Sequence, residues 1–168
     1  MEIERKWMVN GWPQFDLPLI KEEDMRQGYL HAHAPIVRIR EEAEKDGETV
    51  YVLCIKSEGR LAREEIEMEI PLEKFRQLEK VISLPLIKKK RRVYLLPDSL
   101  HLEVSHVDEG LPSEFWYAEI EYESVEQAEA WTPRDVQLEA YLKEDVTLLP
   151  GQSMAAYWLQ TRAVREAE

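Results

Sequence analysis

Charged and apolar residues alternate along several segments of the chain, and this alternation restricts the fold more than any other feature of the sequence. At the N-terminus, "MEIERKWMV" carries Glu2, Glu4 and Lys6 at every second position. In a β-strand these side chains point to one face, whereas Ile3 and Trp7 point to the other. In an α-helix, Glu2 and Lys6 would instead form an exposed pair one turn apart. For this segment alone both interpretations are open.

Five further segments repeat the alternation, with charged residues on one face and apolar residues on the other. For a single strand, this pattern is typical of the solvated side of an antiparallel sheet. Solvated faces, however, usually mix Thr, Ser and Gln with Lys, whereas these faces carry almost only Glu, Arg and Lys. If the sheet closes on itself, the charged faces line its interior. The residues concerned are Arg38 and Arg40, Lys56, Arg63 with Glu65, Glu67 and Glu69, Glu103 with Ser105, and Glu119 with Glu121.

Periodicity divides the rest of the chain into strands and helices. Beyond the N-terminal segment, strands are predicted at 27–32 and 36–41, in hairpins at 48–70 and 88–107, and at 116–124. Helical spacing and capping patterns predict helices at 71–84, 124–131, 132–142 and 153–168. Roughly eight strands and three or four helices, with few long crossovers, predict an α+β fold whose sheet is closed or nearly closed on itself.

Length and composition favour a single domain over residues 1–168, because 168 residues with 44% hydrophobic content suffice for one core. The one cysteine, Cys54, excludes an internal disulfide and fits a reducing compartment. No apolar run approaches the roughly 18 residues of a membrane span, and the acidic N-terminus is unlike a secretory signal. We therefore expect a cytoplasmic protein that does not bind membranes.

The charge pattern indicates a small polyanionic ligand. A net charge of −12 argues against nucleic-acid binding over the whole surface, but the basic residues cluster at 38–40, 56–63 and 88–92. An interior that holds both carboxylates and cations is costly unless a ligand compensates the charges. Arg and Lys bind phosphate through charge-assisted hydrogen bonds, and glutamates bind hard divalent cations. A metal-bound oligophosphate satisfies both groups.

Several short motifs also match a known family. The opening "MEIERK" has an ExExK pattern, and "RQGYL", "VRIR", "IKSEGRLAREEIE", "KKKRRVYL" and "AEIEY" follow in order up to about position 123. With these motifs the chain resembles the triphosphate tunnel metalloenzymes, or CYTH superfamily, named after class IV adenylate cyclase and thiamine triphosphatase. The resemblance implies a closed eight-stranded antiparallel β-barrel, which forms a tunnel, with helices packed outside.

The resemblance also implies roles for residues of this sequence. It implies Mg²⁺ or Mn²⁺ as cofactor and places Tyr29 in the tunnel wall. It implies catalytic roles for Lys56, Glu65 and Glu67, although either the Glu65–Glu67 or the Glu119–Glu121 pair can orient the attacking water. The implied triphosphate ligands are Lys6, Arg38, Arg40, Lys56, Arg63, Lys89 and Arg91. The implied metal ligands are Glu2, Glu4, Glu65, Glu67, Glu119 and Glu121.

The register of the basic strand at 88–92 is open. By spacing, Lys90 and Arg92 fit the K-x-R motif as well as Lys89 and Arg91 do. We prefer the second pair because it keeps the family's spacing to the turn at 97–98.

Two positions depart from the family pattern. Ser105 stands where the family often has Asp, and Glu103 on the same face is a candidate substitute. Segment 145–161 contains no Lys or Arg, although the family usually has basic residues there that close the tunnel. The closure of the tunnel by this segment is therefore open.

The expected function is metal-dependent hydrolysis of inorganic tripolyphosphate, or of a related organic triphosphate, by a phosphoanhydride hydrolase. Two alternatives are open: a class IV-type adenylate cyclase that converts ATP to cyclic AMP and pyrophosphate, and a non-catalytic CYTH protein that binds polyphosphate or nucleotides. The expected partner is a small-molecule triphosphate rather than a nucleic acid or a membrane. Formation of a homodimer is open.

Overall fold

The structure, a computed structural model, describes residues 1–163. Its strands form one antiparallel sheet of ten strands. In chain order the strands are β1 (Glu2–Val9), β2 (Leu19–His31), β3 (Ile36–Glu44), β4 (Thr49–Lys56), β5 (Ala62–Arg63), β6 (Glu65–Ile70), β7 (Ile87–Leu95), β8 (His101–Val107), β9 (Phe115–Glu121) and β10 (Glu144–Asp145). The helices are α1 (Leu72–Ile82), α2 (Val125–Ala130), α3 (Met154–Thr161) and a 3₁₀ helix at Pro133–Val136.

The sheet is a nearly closed barrel with one seam. Its strand order is β10-β1-β9-β8-β7-β2-β3-β4-β6, and β5 pairs with β1. Because only one residue separates β5 from β6, this pairing brings the two ends of the sheet together. It consists of two residue pairs, Glu2 with Arg63 and Ile3 with Ala62. The seam runs beside β6, where the sheet is not continuously paired.

The expected count of eight strands is not matched. Eight strands are six to thirteen residues long. The other two, β5 and β10, have two residues each and pair with β1 at its two ends. Two residues are too few to show alternation in a sequence, so these strands are set by the closure of the sheet rather than by a local pattern.

Two local predictions are corrected. β2 begins at Leu19 rather than at 27, because the mainly charged segment 19–26 is held by main-chain pairing, with β7 along its length and with β3 from Glu23 onward. The segment 132–142 is not an α-helix. It forms a capped 3₁₀ turn, which ends where Gln137 takes a left-handed conformation, with φ of 60°. Within the predicted helix 153–168, α3 covers Met154–Thr161 and residues 164–168 lie outside the described part of the chain.

Apolar side chains cover the outside of the barrel in two clusters. One packs α2 and the 3₁₀ segment against β1, β8 and β9, around Trp7, Val104 and Trp131. The other joins α1 and α3 to the sheet, around Phe75 and Trp158. Each large apolar side chain buried in this way stabilises the fold by roughly 1.5–3 kcal/mol, which orients the charged strand faces inward. In the described chain, no helix combines the length and the apolar character needed to span a membrane.

Candidate active site

The inward faces of the strands enclose a cavity of about 470 Å³. Every residue that the sequence predicted for the site lies in its wall. This follows from the strand period, because the charged positions of each strand share one face and that face points inward. The residues brought together are Glu2, Glu4, Lys6, Tyr29, Arg38, Arg40, Lys56, Arg63, Glu65, Glu67, Lys89, Arg91, Glu119 and Glu121.

At the seam, carboxylates and cations alternate at hydrogen-bond distance. The Nζ of Lys56 donates to both carboxylate oxygens of Glu2, at 3.1 and 3.3 Å, and lies 3.1 Å from Oε2 of Glu65. The Nε of Arg63 donates to the same Glu2 at 3.2 Å. Burial, together with the hydrogen bond to Glu65, raises the pKa of Glu2 even though Lys56 opposes the shift. The pairing of β1 with β5 and of β4 with β6 produces this cluster.

Glu4 and Glu119, on the neighbouring strands β1 and β9, form a coupled pair of carboxyl groups. Burial and the negative charge of Glu119 raise the pKa of Glu4 well above its ordinary value. Burial also favours the neutral form of Glu119, but the charge of Lys6 and a hydrogen bond from Glu4 outweigh it and bring its pKa down to about 2. The two carboxyl groups therefore affect each other's ionisation, and positive charge placed near Glu4 would favour its ionised form.

Carboxylates from two adjacent strands supply candidate ligands for a divalent cation. Glu2, Glu4, Glu119 and Glu121 face the same part of the cavity from two adjacent strands. Hard cations such as Mg²⁺ and Mn²⁺ take oxygen ligands of this kind. Within residues 1–163, the group that places one ligand atom each within 4.8 Å of one another is a different one, Cys54, Glu65 and Glu67 on β4 and β6.

The arginines of the cavity are buried and held by carboxylates. The Nε of Arg40 donates to Glu42 at 2.7 Å, and both Arg38 and Arg40 lie within 4.0 Å of Glu67. Within residues 1–163, the Nε of Arg38 has no hydrogen-bond partner. Because an unpaired buried donor is unfavourable, a bound anion would stabilise this end of the site.

Two lysines and an unpredicted tyrosine form the inner end of the cavity. The Nζ of Lys89 donates to the hydroxyl of Tyr117 at 2.7 Å. The Nζ of Lys6 lies 4.3 Å from the centre of the Tyr117 ring and donates to the carbonyl of Gln152. Burial, assisted by Arg40, lowers the pKa of Lys89 well below its ordinary value. Sequence reasoning missed Tyr117, although it shares the inward face of β9 two residues before Glu119.

In the basic strand β7, Lys89 and Arg91 face the cavity. The Arg91 guanidinium lies 2.9 Å from Glu23 and 3.6 Å from Glu103. Lys90 and Arg92 point to the outer face, where both lie within 4.0 Å of Glu22 and Arg92 packs over Trp12.

The two departures from the expected pattern also have structural answers. Ser105 is buried between Arg91 and Tyr117 in the sheet, and its Oγ has no hydrogen-bond partner within the described chain. Glu103 is the acidic residue of β8 that lines the cavity. Residues 146–147 and 149–155 line it as well and include no basic side chain. The hydroxyl of Thr147 accepts a hydrogen bond from the main-chain N–H of Lys6 at 3.0 Å, which holds this segment against β1.

The nearly closed barrel and its charged cavity place the protein in the class of β-barrels that bind ligands in their interior. Comparisons with known proteins identify the family. Profiles of protein families gave no match. The chain is 33% identical to the inorganic triphosphatase of Nitrosomonas europaea over 132 residues, which cover 79% of this chain and 83% of that protein. The chain belongs to the triphosphate tunnel metalloenzyme, or CYTH, family.

Solved structures agree with this assignment. The crystal structure of the inorganic triphosphatase NE1496 superposes with a TM-score of 0.60 and 26% identity, over 94% of this chain and 93% of that one. The PH1819 protein from Pyrococcus horikoshii OT3 superposes with a TM-score of 0.63 over 96% of this chain and all of that chain. At 20% identity the second similarity shows the fold alone.

Proposed function

We propose that the protein is a divalent-metal-dependent triphosphatase that hydrolyses inorganic tripolyphosphate, or a related organic triphosphate, inside the cavity. The observation that carries this proposal is the convergence of all predicted cations and carboxylates on one cavity of about 470 Å³. The relative in Nitrosomonas europaea, named an inorganic triphosphatase, supports the choice of substrate.

In this proposal the cations bind and orient the triphosphate. Lys6, Arg38, Arg40, Lys89 and Arg91 come from three different strands and surround the substrate, so its charge is neutralised from several directions. Phosphoryl transfer depends mainly on positioning and on electrostatic stabilisation of the transition state, and preorganised buried donors supply both.

The seam is the proposed catalytic end. Lys56 and Arg63 now neutralise Glu2, and we propose that a phosphate oxygen competes with that carboxylate for both cations. Glu65 or Glu67, or else the Glu119–Glu121 pair, would orient the attacking water and accept its proton. These carboxylates line the same cavity as the proposed phosphate-binding cations, and water attack on a terminal phosphorus would release orthophosphate and leave pyrophosphate.

Mg²⁺ or Mn²⁺ is the proposed cofactor, held by Glu2, Glu4, Glu119 and Glu121 with contributions from β6. The burial of Glu4 and the negative charge of Glu119 beside it support a cation there, because a bound cation would compensate both carboxylates. When bound, such a cation neutralises phosphate charge and lowers the pKa of a coordinated water.

We also propose that residues 1–168 act as one domain, in the cytoplasm, on a free small-molecule triphosphate rather than on a nucleic acid or at a membrane. The net charge of −12 supports this choice, because the protein as a whole is acidic while the cavity lining brings together eight of its 22 Lys and Arg residues.

The test is orthophosphate release from tripolyphosphate with Mg²⁺, with Mn²⁺ and with excess EDTA, beside ATP and thiamine triphosphate. We expect fast, EDTA-sensitive release, with tripolyphosphate ahead of the others. Cyclic AMP from the ATP sample would make the protein a cyclase. Tripolyphosphate binding without turnover under every metal condition would overturn the enzyme proposal in favour of a binding protein.

A further inference from the structure

Lys6 and Lys89 differ from the other predicted phosphate ligands that line the cavity. Within residues 1–163, neither has a carboxylate oxygen within 4.0 Å of its ammonium group. The remaining predicted phosphate ligands each have at least one, namely Arg38, Arg40, Lys56, Arg63 and Arg91. A buried cation without a counter-ion is costly, so the positions of Lys6 and Lys89 are where a bound anion is most strongly favoured.

Both ammonium groups contact the same side chain. Lys89 donates to the Tyr117 hydroxyl at 2.7 Å, and the Nζ atoms of Lys6 and Lys89 lie 4.3 and 5.4 Å from the ring centre. Tyr117 is 1% exposed, so its ring is fixed by packing. A lysine side chain is flexible and its ammonium is a point charge without directional preference. The phenol hydroxyl is therefore the group that sets the position of the Lys89 ammonium.

Tyr117 also forms the floor of the cavity. Its ring stacks on Phe115 with 5.9 Å between centres, and Phe115 contacts Tyr157 of α3 at 4.8 Å. On the facing strand β2, Tyr29 packs on Trp158 of α3 at 5.8 Å. On β9 the cavity is lined by Glu121, Glu119 and Tyr117 but not by Phe115, so along this strand the cavity ends at Tyr117.

The depth of the cavity follows from the strand geometry. Successive inward residues of a strand lie about 7 Å apart, so Tyr117 is one layer deeper than Glu119 and two layers deeper than Glu121. A linear polyphosphate that extends from the proposed metal-binding carboxylates along β9 would therefore approach the phenol ring as its length increases.

We propose that Tyr117 determines the length of the linear polyphosphate that the site accepts and positions Lys89 on its innermost phosphate. The inference deepens the proposed function and rests on it. Tyr117 acts by two separable means: its hydroxyl holds the Lys89 ammonium, and its ring blocks a fourth phosphate.

Two substitutions separate these effects. Tyr117→Phe keeps the ring but removes the hydroxyl, and we expect KM for tripolyphosphate to rise about 10-fold or more, because a hydrogen bond to a charged group is lost. In this variant the kcat/KM ratio of tetrapolyphosphate to tripolyphosphate stays as in the wild type. Tyr117→Ala removes the ring as well, and the kcat/KM ratio of tetrapolyphosphate to tripolyphosphate rises about 10-fold. Tyr122→Phe is the matched control, since Tyr122 follows the same strand but packs in the outer cluster.

Calorimetric titration in excess EDTA separates the inference from the proposed function. Tripolyphosphate and tetrapolyphosphate are each titrated into the wild type and the three variants, whose folding is checked by circular dichroism. We expect both Tyr117 variants to weaken tripolyphosphate binding, Tyr117→Phe without a change in the preference for length and Tyr117→Ala with a shift toward tetrapolyphosphate. If Tyr117→Phe binds tripolyphosphate like Tyr122→Phe, the inference is wrong whatever the turnover. If the wild type shows no turnover but the affinities follow the expected order, only the triphosphatase proposal fails.

Discussion

Replacing Lys56 by Ala tests the proposed catalytic end of the site. An ammonium about 4 Å from a unit charge contributes about 4 kcal/mol at an effective dielectric constant of about 20. In the free protein this ammonium already interacts with Glu2 and Glu65. Its attraction to a phosphate oxygen is therefore partly offset by the weakening of these two ion pairs. We expect a net loss of about 3 kcal/mol of transition-state stabilisation, which lowers kcat/KM about 100-fold.

The same substitution has a smaller effect on stability. Removal of one partner from a buried ion pair can cost about 3–5 kcal/mol because it leaves an isolated charge. Here the pKa of Glu2 is already raised by burial, so Glu2 can take up a proton and avoid that charge. We therefore expect Lys56→Ala to lower the free energy of unfolding by about 1–2 kcal/mol at neutral pH.

The assay is steady-state orthophosphate release from tripolyphosphate, with the unfolding transition of each variant measured in parallel. Lys90→Ala is the matched control, because its side chain is 42% exposed on the outer face and lies 3.8 Å from Glu22. It should retain wild-type kinetics. A kcat/KM for folded Lys56→Ala within threefold of the wild type would refute the role given to Lys56.

Three further outcomes are expected. Arg91→Ala lowers kcat/KM for tripolyphosphate about 100-fold, whereas Arg92→Ala, in the same strand but facing outward, leaves it unchanged. Glu4→Gln raises the Mn²⁺ concentration for half-maximal activity about 10–100-fold, while the surface change Glu73→Gln does not; equal metal requirements would remove Glu4 from the metal site. Although burial opposes it, hydrogen bonds hold the folded-state pKa of Asp108 below its ordinary value, so its stabilisation is complete above about pH 4 and is lost as pH falls through the folded pKa. Asp108→Asn should therefore be about 1–3 kcal/mol less stable than the wild type at pH 7, and denaturant titrations should show the gap narrowing at pH 3.

The wall of the cavity could be predicted from the sequence because strand periodicity is strict. Once Glu2, Glu4 and Lys6 lie in a strand, all three share a face, and a shift of one residue would expose the opposite apolar face. The same reasoning applies to the other long strands. Their charged faces can be assigned to the interior of the barrel without knowing which strands pair with each other. The order of the strands, in contrast, depends on contacts between distant segments.

Other features depend on tertiary contacts that leave little local signal. Tyr117 was missed because an aromatic residue in a strand usually indicates packing, and only the position of Lys89 reveals its hydroxyl as a polar partner. The helix predicted at 132–142 failed because Leu138 and Leu142, although helically spaced, are buried by a turn that follows Gln137. The strands β5 and β10 exist only because β1 offers them main-chain partners.

The most direct test of the metal-bound triphosphate in the tunnel is a crystal structure with Mn²⁺ and imidotriphosphate, recorded at the manganese absorption edge. We predict an anomalous peak coordinated by carboxylates of β1 and β9, with the phosphate chain running from the seam to Tyr117 and contacting Lys6, Arg38 and Lys89. A triphosphate bound on the outer surface would contradict the proposed site. So would manganese bound only outside the barrel, with neither manganese nor triphosphate in the cavity.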